Sequence, residues 1–189
     1  MTIVYETDKM TALMNTESLI EEMVVLAISA TGEELTHAAA VFETLYRDRT
    51  DCWIVTARDD AASNKLVGTF GFNDLHKFPI MSRSKGVWQN TVRDAIVAKG
   101  LDDEANVGLS CLIYIHADYK AQGIAKAMRN KKVEYQTNRG VTHSLANIAP
   151  STSTIKSWGE AMILKTGGEK LGTDSDGNDV YLCPHTGSL

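Results

Sequence analysis

The stretch from Val107 to Arg139 constrains the fold of this chain more than any other, because it reads as a strand passing directly into a helix through a glycine. In its first half Leu109, Cys111, Ile113 and Ile115 alternate with Ser110, Leu112, Tyr114 and His116. Both sets are largely apolar, which predicts a strand covered on both faces, as in a sheet interior. The second half predicts a helix that begins near Gly123, carries Ile124, Ala127 and Met128 on one stripe and stops at Gly140. Lys126, Arg129, Lys131 and Lys132 fall on its other stripes. A glycine at a helix mouth lets backbone N–H groups approach an anion with no β-carbon in the way, and about half a positive charge from the helix dipole sits there. Gln122, Gly123, Ile124 and Ala125 are therefore candidates to hold a phosphate. A glycine at such a joint is also ordinary turn chemistry. Here a doubly apolar strand, the Asp118-Tyr119 pair, a cation at Lys120 and a basic helix surround it.

The run I-Y-I-H-A-D-Y-K-A-Q-G-I-A, from Ile113 to Ala125, resembles the coenzyme A pyrophosphate loop of the GCN5-related N-acetyltransferase family. In that family an apolar-x-apolar-x-Pro-x-Tyr run is followed by Gln/Arg-x-x-Gly-x-Gly/Ala. This chain has Ala117 where proline is common, Lys120 where glutamine or arginine is usual, and Ala125 at the last small position. The resemblance implies acetyl-CoA as co-substrate, with no metal. It places the coenzyme against Ile113, Tyr114 and Ile115 on the strand, and against Lys120, Ala121, Gln122, Gly123, Ile124, Ala125 and Lys126 around the helix mouth.

Composition limits the alternatives. A chain of 189 residues with 43% apolar content predicts one globular domain spanning 1–189. A formal charge of -5 argues against a broad nucleic-acid footprint and would weakly attract a cationic amine. Cys52, Cys111 and Cys183 are odd in number and far apart, which suits reduced thiols in a cytoplasm. The apolar run Met23 to Ile28 is too short to cross a bilayer, so neither a membrane anchor nor a signal peptide is expected. The acidic run Asp174 to Asp179 lacks the twelve-residue loop and terminal glutamate of a calcium site and reads as a hairpin turn.

The rest of the chain supplies the frame. Ile3 to Glu6 predicts a first strand, and Ser18 with Glu21 and Thr31 with Glu34 make capping-box patterns ahead of two helices. The first buries Leu19, Ile20, Met23, Val24 and Ala27; the second buries Leu35, Ala38, Ala39, Phe42 and Leu45. By the resemblance this helical pair walls the acceptor site, which makes Glu21, Glu22, Glu33 and Glu34 substrate-side candidates beside the plainer reading of a solvated acidic face. Cys52 to Ala57 and Leu66 to Phe72 predict adjacent antiparallel strands, with Gly68 and Gly71 marking a bulge or a close backbone approach. About thirty residues then stand where the family has a short turn. This insertion, at about 78–103, predicts a helix carrying Val87, Trp88, Thr91, Val92, Ala95 and Ile96 and stopping at Gly100. It either covers the acceptor side or is a packed ornament.

Val141 to Pro150 predicts a further strand, followed by a helix capped by Ser151 or Ser153 and ended by Gly167 and Gly168. In the family that helix starts near an asparagine and carries a tyrosine seven residues later. That register gives Ser151 and Trp158 here, so the resemblance implies contacts of both with the coenzyme. An indole N–H does not usefully ionise, and Trp158 cannot replace a tyrosine general acid. Tyr114, Tyr119 and Tyr135 remain as acid candidates, and neither a catalytic acid nor a base is assigned.

The expected fold is α/β (α+β), with a mixed, mostly antiparallel central sheet flanked by helices, of the acyl-CoA N-acyltransferase type. The implied function is acyl transfer, of acetyl in the first instance, to a primary amine of a small molecule or protein. Neither nucleic acid nor membrane is an expected partner, and the oligomeric state stays open between monomer and dimer. Two other readings also stay open: a coenzyme A-binding protein without turnover, and an unrelated phosphate- or nucleotide-binding module.

Overall fold

The computed structural model describes residues 2–9, 17–32, 52–74, 94–101, 107–148, 154–173 and 177–185, with side chains except at 17–18, 73–74, 111–112 and 154–158. In chain order these form β1 (Ile3–Lys9), α1 (Glu17–Thr31), β2 (Cys52–Asp59), β3 (Lys65–Asp74), β4 (Val107–Ile115), α2 (Ile124–Thr137), β5 (His143–Ile148), α3 (Thr154–Lys165), β6 (Glu169–Thr173) and β7 (Asp179–Pro184). Hydrogen-bonded neighbours run β1-β2-β3-β4-β5-β7-β6. The β4–β5 pair is parallel, whereas β1–β2, β5–β7 and β6–β7 are antiparallel, so the sheet is mixed and mostly antiparallel. Two compact units are distinguished, one of Met1–Phe72 with Leu112–Glu134 and one of Asn73–Cys111 with Tyr135–Leu189.

In the first unit α1 buries Leu19, Ile20, Met23, Leu26 and Ala27, a stripe that repeats every three to four residues. Leu26 takes the inward place that the sequence pattern gives to Val24, which is only half-buried. The helix begins at Glu17, so Ser18 lies inside it and is not its cap. Thr31 ends the helix, and its hydroxyl donates back to the Ala27 carbonyl at 2.8 Å. The second predicted helix, with Glu33 and Glu34, lies outside the described residues.

Strand β2 is buried at consecutive residues from Cys52 to Ala57, so it is covered on both faces. Ile54 and Val55 each contribute about 1.5–3 kcal/mol by being taken fully out of water. Glu22 is held in a two-pronged pair by Arg58, Nη1 to Oε1 at 3.0 Å and Nη2 to Oε2 at 2.7 Å. That carboxylate fastens α1 to β2. Gly68 on β3 lies directly beneath α2: a β-carbon there would stand 3.0 Å from Met128 Cε and 3.2 Å from Ile124 Cγ2. The close approach expected of a strand glycine is therefore between β3 and α2.

In the second unit β4, β5 and β7 separate their side chains by parity. Val107, Leu109, Leu145, Val180 and Leu182 form one apolar face with Ile96, while Ala146 and Tyr181 form the other with Ile163 of α3. Ile96 belongs to the helical residues 94–98 of the insertion, and Leu101 packs on the same cluster. This end of the insertion is thus part of a core. The remainder, including Trp88, lies outside the described residues. The β4–β5 register runs from Val107↔His143 to Ser110↔Ala146, although both strands continue beyond it.

Candidate functional site

Residues 116–126 join β4 to α2 within the first unit. Ile113, Tyr114 and Ile115 at the end of β4 are each half-buried, unlike the fully buried Val107 and Leu109 at its start. The chain then makes a short 3-10 turn over Ala117–Tyr119. Two left-handed residues follow, Ala121 at φ 63° and Gly123 at φ 80°. The left-handed conformation costs a residue with a β-carbon about 1–2 kcal/mol, so Ala121 stores strain that Gly123 avoids. Space is not the constraint at Gly123, since an added β-carbon would meet nothing within 4 Å.

Helix α2 opens at Ile124, and its first backbone bond runs from the Ala127 amide to the Gly123 carbonyl at 3.0 Å. The amides of Ile124, Ala125 and Lys126 precede that bond and have no carbonyl one turn back within the helix. No acidic residue lies in the first turn, and Lys126 there is exposed. A helix mouth with free amide geometry, an uncompensated dipole and a nearby cation favours an anion. Gln122 does not reach over this mouth; its Nε2 donates to the Asp118 carbonyl at 3.0 Å.

Three elements remote in sequence hold the loop. From β2, Asp59 accepts the Tyr119 hydroxyl at 2.9 Å with Oδ2 and the Ala61 amide at 3.1 Å with Oδ1. From β3, the Val67 carbonyl accepts the His116 amide at 2.9 Å, and Lys65 Nζ lies 3.0 Å from His116 Nε2. From the end of α1, Ser29 Oγ accepts the Ala117 amide at 3.1 Å and the Ala30 carbonyl accepts Lys120 Nζ at 3.2 Å. None of these partners lies in the motif. Asp59, Lys65 and Ser29 carry no signal in sequence beyond being polar residues at element ends.

The charges of the cluster are interlocked. The hydrogen bond to Asp59 raises the Tyr119 pKa, with burial and the Asp59 charge adding to it, so the phenol stays protonated at neutral pH. Burial, and next the Lys65 ammonium, hold His116 below its ordinary value, while Asp118 pulls it partly back. The ring is therefore neutral at neutral pH. Its Nδ1 faces the Asp118 amide at 3.3 Å while Nε2 faces Lys65, and a neutral imidazole accepts only one of them at a time.

The basic helix is less open than its composition suggests. Arg129 and Lys132 are buried at 7% and 3% exposure, and the Lys132 ammonium lies 5.7 Å from the Phe70 ring centre. They lie on the buried side of α2, whereas Lys120 and Lys126, in the loop and the first turn, are exposed. Ser151 lies outside the described residues, and of Trp158 only the helical backbone is described.

A Ser–His contact in the second unit is not a nucleophile site. Ser144 Oγ lies 2.7 Å from His185 Nε2, and His185 Nδ1 faces the Val141 carbonyl at 2.9 Å, but Ser144 has 0% exposure and no approach for a substrate. Among the described residues no three His, Cys, Asp or Glu side chains gather to hold a metal ion, and no helix is long and apolar enough to cross a membrane.

No family model matches the sequence, and neither does any curated protein. Solved structures do match. The PaiA N-acetyltransferase of Thermoplasma acidophilum, in complex with coenzyme A, superposes with a TM-score of 0.60 at 14% identity, covering 97% of this chain and 99% of that one. An acetyltransferase of the GNAT family from Staphylococcus aureus gives 0.60 at 12% identity over 98% and 100% of the two chains. The ribosomal-protein-S18-alanine N-acetyltransferase of Escherichia coli gives 0.57 at 9% identity over 97% and 94%. Full-length coverage by acetyltransferases of this kind, on a mixed sheet in the order found here, establishes that the chain has the fold of the GCN5-related N-acetyltransferases, the GNAT fold.

Proposed function

We propose that this protein transfers an acetyl group from acetyl-CoA to a primary amine, with the loop from Lys120 to Lys126 holding the coenzyme pyrophosphate. The observation that carries the reading is the acid-free mouth of α2 behind left-handed Gly123, in a fold that in one structural neighbour holds coenzyme A. The residues present suit the group: amides of Ile124 to Lys126 for phosphate oxygens, and exposed Lys120 and Lys126 for their charge. Acetyl-CoA would supply an acyl thioester: a neutral amine would bond to its carbonyl carbon, the carbon–sulfur bond would break, and the proton given up by the nitrogen would end on the departing thiolate as free thiol. The chain's own part is to orient this ligand and, through a backbone N–H near Ile113 to Ile115, to polarise the carbonyl. Ser151 and Trp158 complete the proposed coenzyme contacts.

An alkyl amine with a pKa near 10 arrives almost wholly protonated at neutral pH, so a proton must leave before attack. Tyr119 is a poor candidate for that work, since its hydroxyl is committed to Asp59 and its pKa is raised. The acceptor is an amine on a small molecule or a protein, and the chain acts in the cytoplasm as one domain over 1–189.

Two measurements test this reading. Calorimetry should give binding to acetyl-CoA and none to ATP, and an amine panel that includes peptides should release free thiol from acetyl-CoA. Binding without thiol release on any amine would leave a coenzyme-binding protein without turnover; preference for ATP would overturn the reading. Salt gives a further expectation, because exposed Lys120 and Lys126 attract the phosphates through screened water. Lys120→Ala should weaken coenzyme binding by about 1 kcal/mol, in the range of a partly exposed charge-assisted contact. Affinity measured between low and high salt should fall in the parent and fall less in the variant.

A further inference from the structure

The carboxyl end of α1 is finished by the loop that follows β4. The Gly32 amide donates to the Ile28 carbonyl at 2.8 Å and the Thr31 hydroxyl to that of Ala27, which satisfies two carbonyls of the last turns from within the helix. The Ala30 carbonyl is met from outside, by the Lys120 ammonium at 3.2 Å, and Ser29 Oγ is met by the Ala117 amide at 3.1 Å. A cation at a helix carboxyl end is stabilising because it faces the negative end of the dipole. Lys120 is exposed, and among the described residues no carboxylate pairs with it. An ammonium has three N–H donors. One donates to Ala30, so donors remain for a second acceptor, and Lys120 stands only three residues before Gly123 in the chain.

We propose that Lys120 bridges the two helices electrically, so that coenzyme A seated at the mouth of α2 stiffens the last turn of α1. An anion on the free side of the ammonium fixes its position, and a fixed ammonium holds the Ala30 carbonyl more firmly than one that exchanges with water. The effect passes through one side chain and leaves no imprint on the backbone path. The inference rests on the coenzyme reading above and adds to it a response at Ser29–Gly32, which touch no phosphate in that reading. Lys120 is accordingly a positioning residue for α1 as well as a contact for the ligand.

Hydrogen exchange of the full chain, with and without saturating coenzyme A, tests this. In the parent the amides of Ser29 to Gly32 should exchange about threefold more slowly, or slower still, with coenzyme A present. Lys120→Ala, saturated at the higher coenzyme concentration its weaker binding requires, should lose that slowing, and Lys120→Arg, which keeps charge and donors, should retain it. Circular dichroism of each variant checks that the helix content of the chain is kept before exchange is compared. Ser29→Ala keeps the ammonium and removes only the Ala117 tie; it should exchange faster at baseline yet still slow on binding. If coenzyme A binds but exchange at Ser29–Gly32 is unchanged or faster, or slows equally in Lys120→Ala, the bridge is wrong while the coenzyme site stands. If calorimetry shows no coenzyme A binding at all, the coenzyme reading fails and this inference falls with it.

Discussion

Gly123→Glu is expected to weaken coenzyme A binding by about 100-fold or more with the fold intact. The new side chain has room, because a β-carbon at Gly123 meets nothing within 4 Å, so its carboxylate would stand at the mouth of α2 where the phosphates are proposed to sit. Two unit charges about 5 Å apart repel by about 3 kcal/mol at an effective dielectric of about 20, which is about two decades in affinity. Part of any loss would come from the backbone, since φ is 80° there and the left-handed conformation costs a non-glycine residue about 1–2 kcal/mol. Gly123→Ala carries that cost without the charge, and the difference between the two variants isolates the electrostatic part. Calorimetry gives the affinities and a thermal melt gives the stability. A Glu variant that melts like Gly123→Ala and binds coenzyme A like the parent would show that the phosphates lie elsewhere.

The parts of this molecule that were legible in sequence are those in which one residue pattern dictates one local geometry. Alternation with apolar residues at both parities marks β4, and Gly123 marks the opening of α2, because period and left-handed φ are local properties. The order of the described elements followed for the same reason. What could not be read were the partners that hold the loop. Asp59, Lys65 and Ser29 reach it from β2, β3 and α1, and only the assembled sheet brings an aspartate sixty residues away to the Tyr119 hydroxyl. The basic stripe of α2 was legible as charge and not as burial: Arg129 and Lys132 are taken inward with their long apolar stems, a choice that composition does not reveal. Ser18 shows the limit at element ends, where a capping pattern puts the first helical residue at Leu19 and Glu17 is already helical.

Gly68→Val should have the largest effect of any substitution outside the loop, and it should act on the loop through α2. Gly68 gives Met128 and Ile124 their seat on β3, and a β-carbon alone would come within 3.0 Å of Met128 Cε and 3.2 Å of Ile124 Cγ2. The thioether end is flexible and can yield to one methyl group, so Gly68→Ala should cost little. Valine adds two more carbons on a stiff, branched side chain, where Met128 is fully buried and Ile124 is at 2% exposure. Overpacking of this kind costs about 1–3 kcal/mol, and the strain is relieved most readily by lifting the amino end of α2 off the sheet. Ile124 is the first residue of that helix, so the lift displaces the amides proposed to hold the coenzyme. Gly68→Val is therefore expected both to melt earlier than the parent and to bind coenzyme A more weakly, although valine at this position would touch no ligand. The double variant Gly68→Val with Met128→Ala supplies the missing volume. In a double-mutant cycle it should lose less stability and less affinity than the two single losses summed. Recovery of stability without affinity would mean that the seat of α2 on β3 does not set the geometry of its mouth.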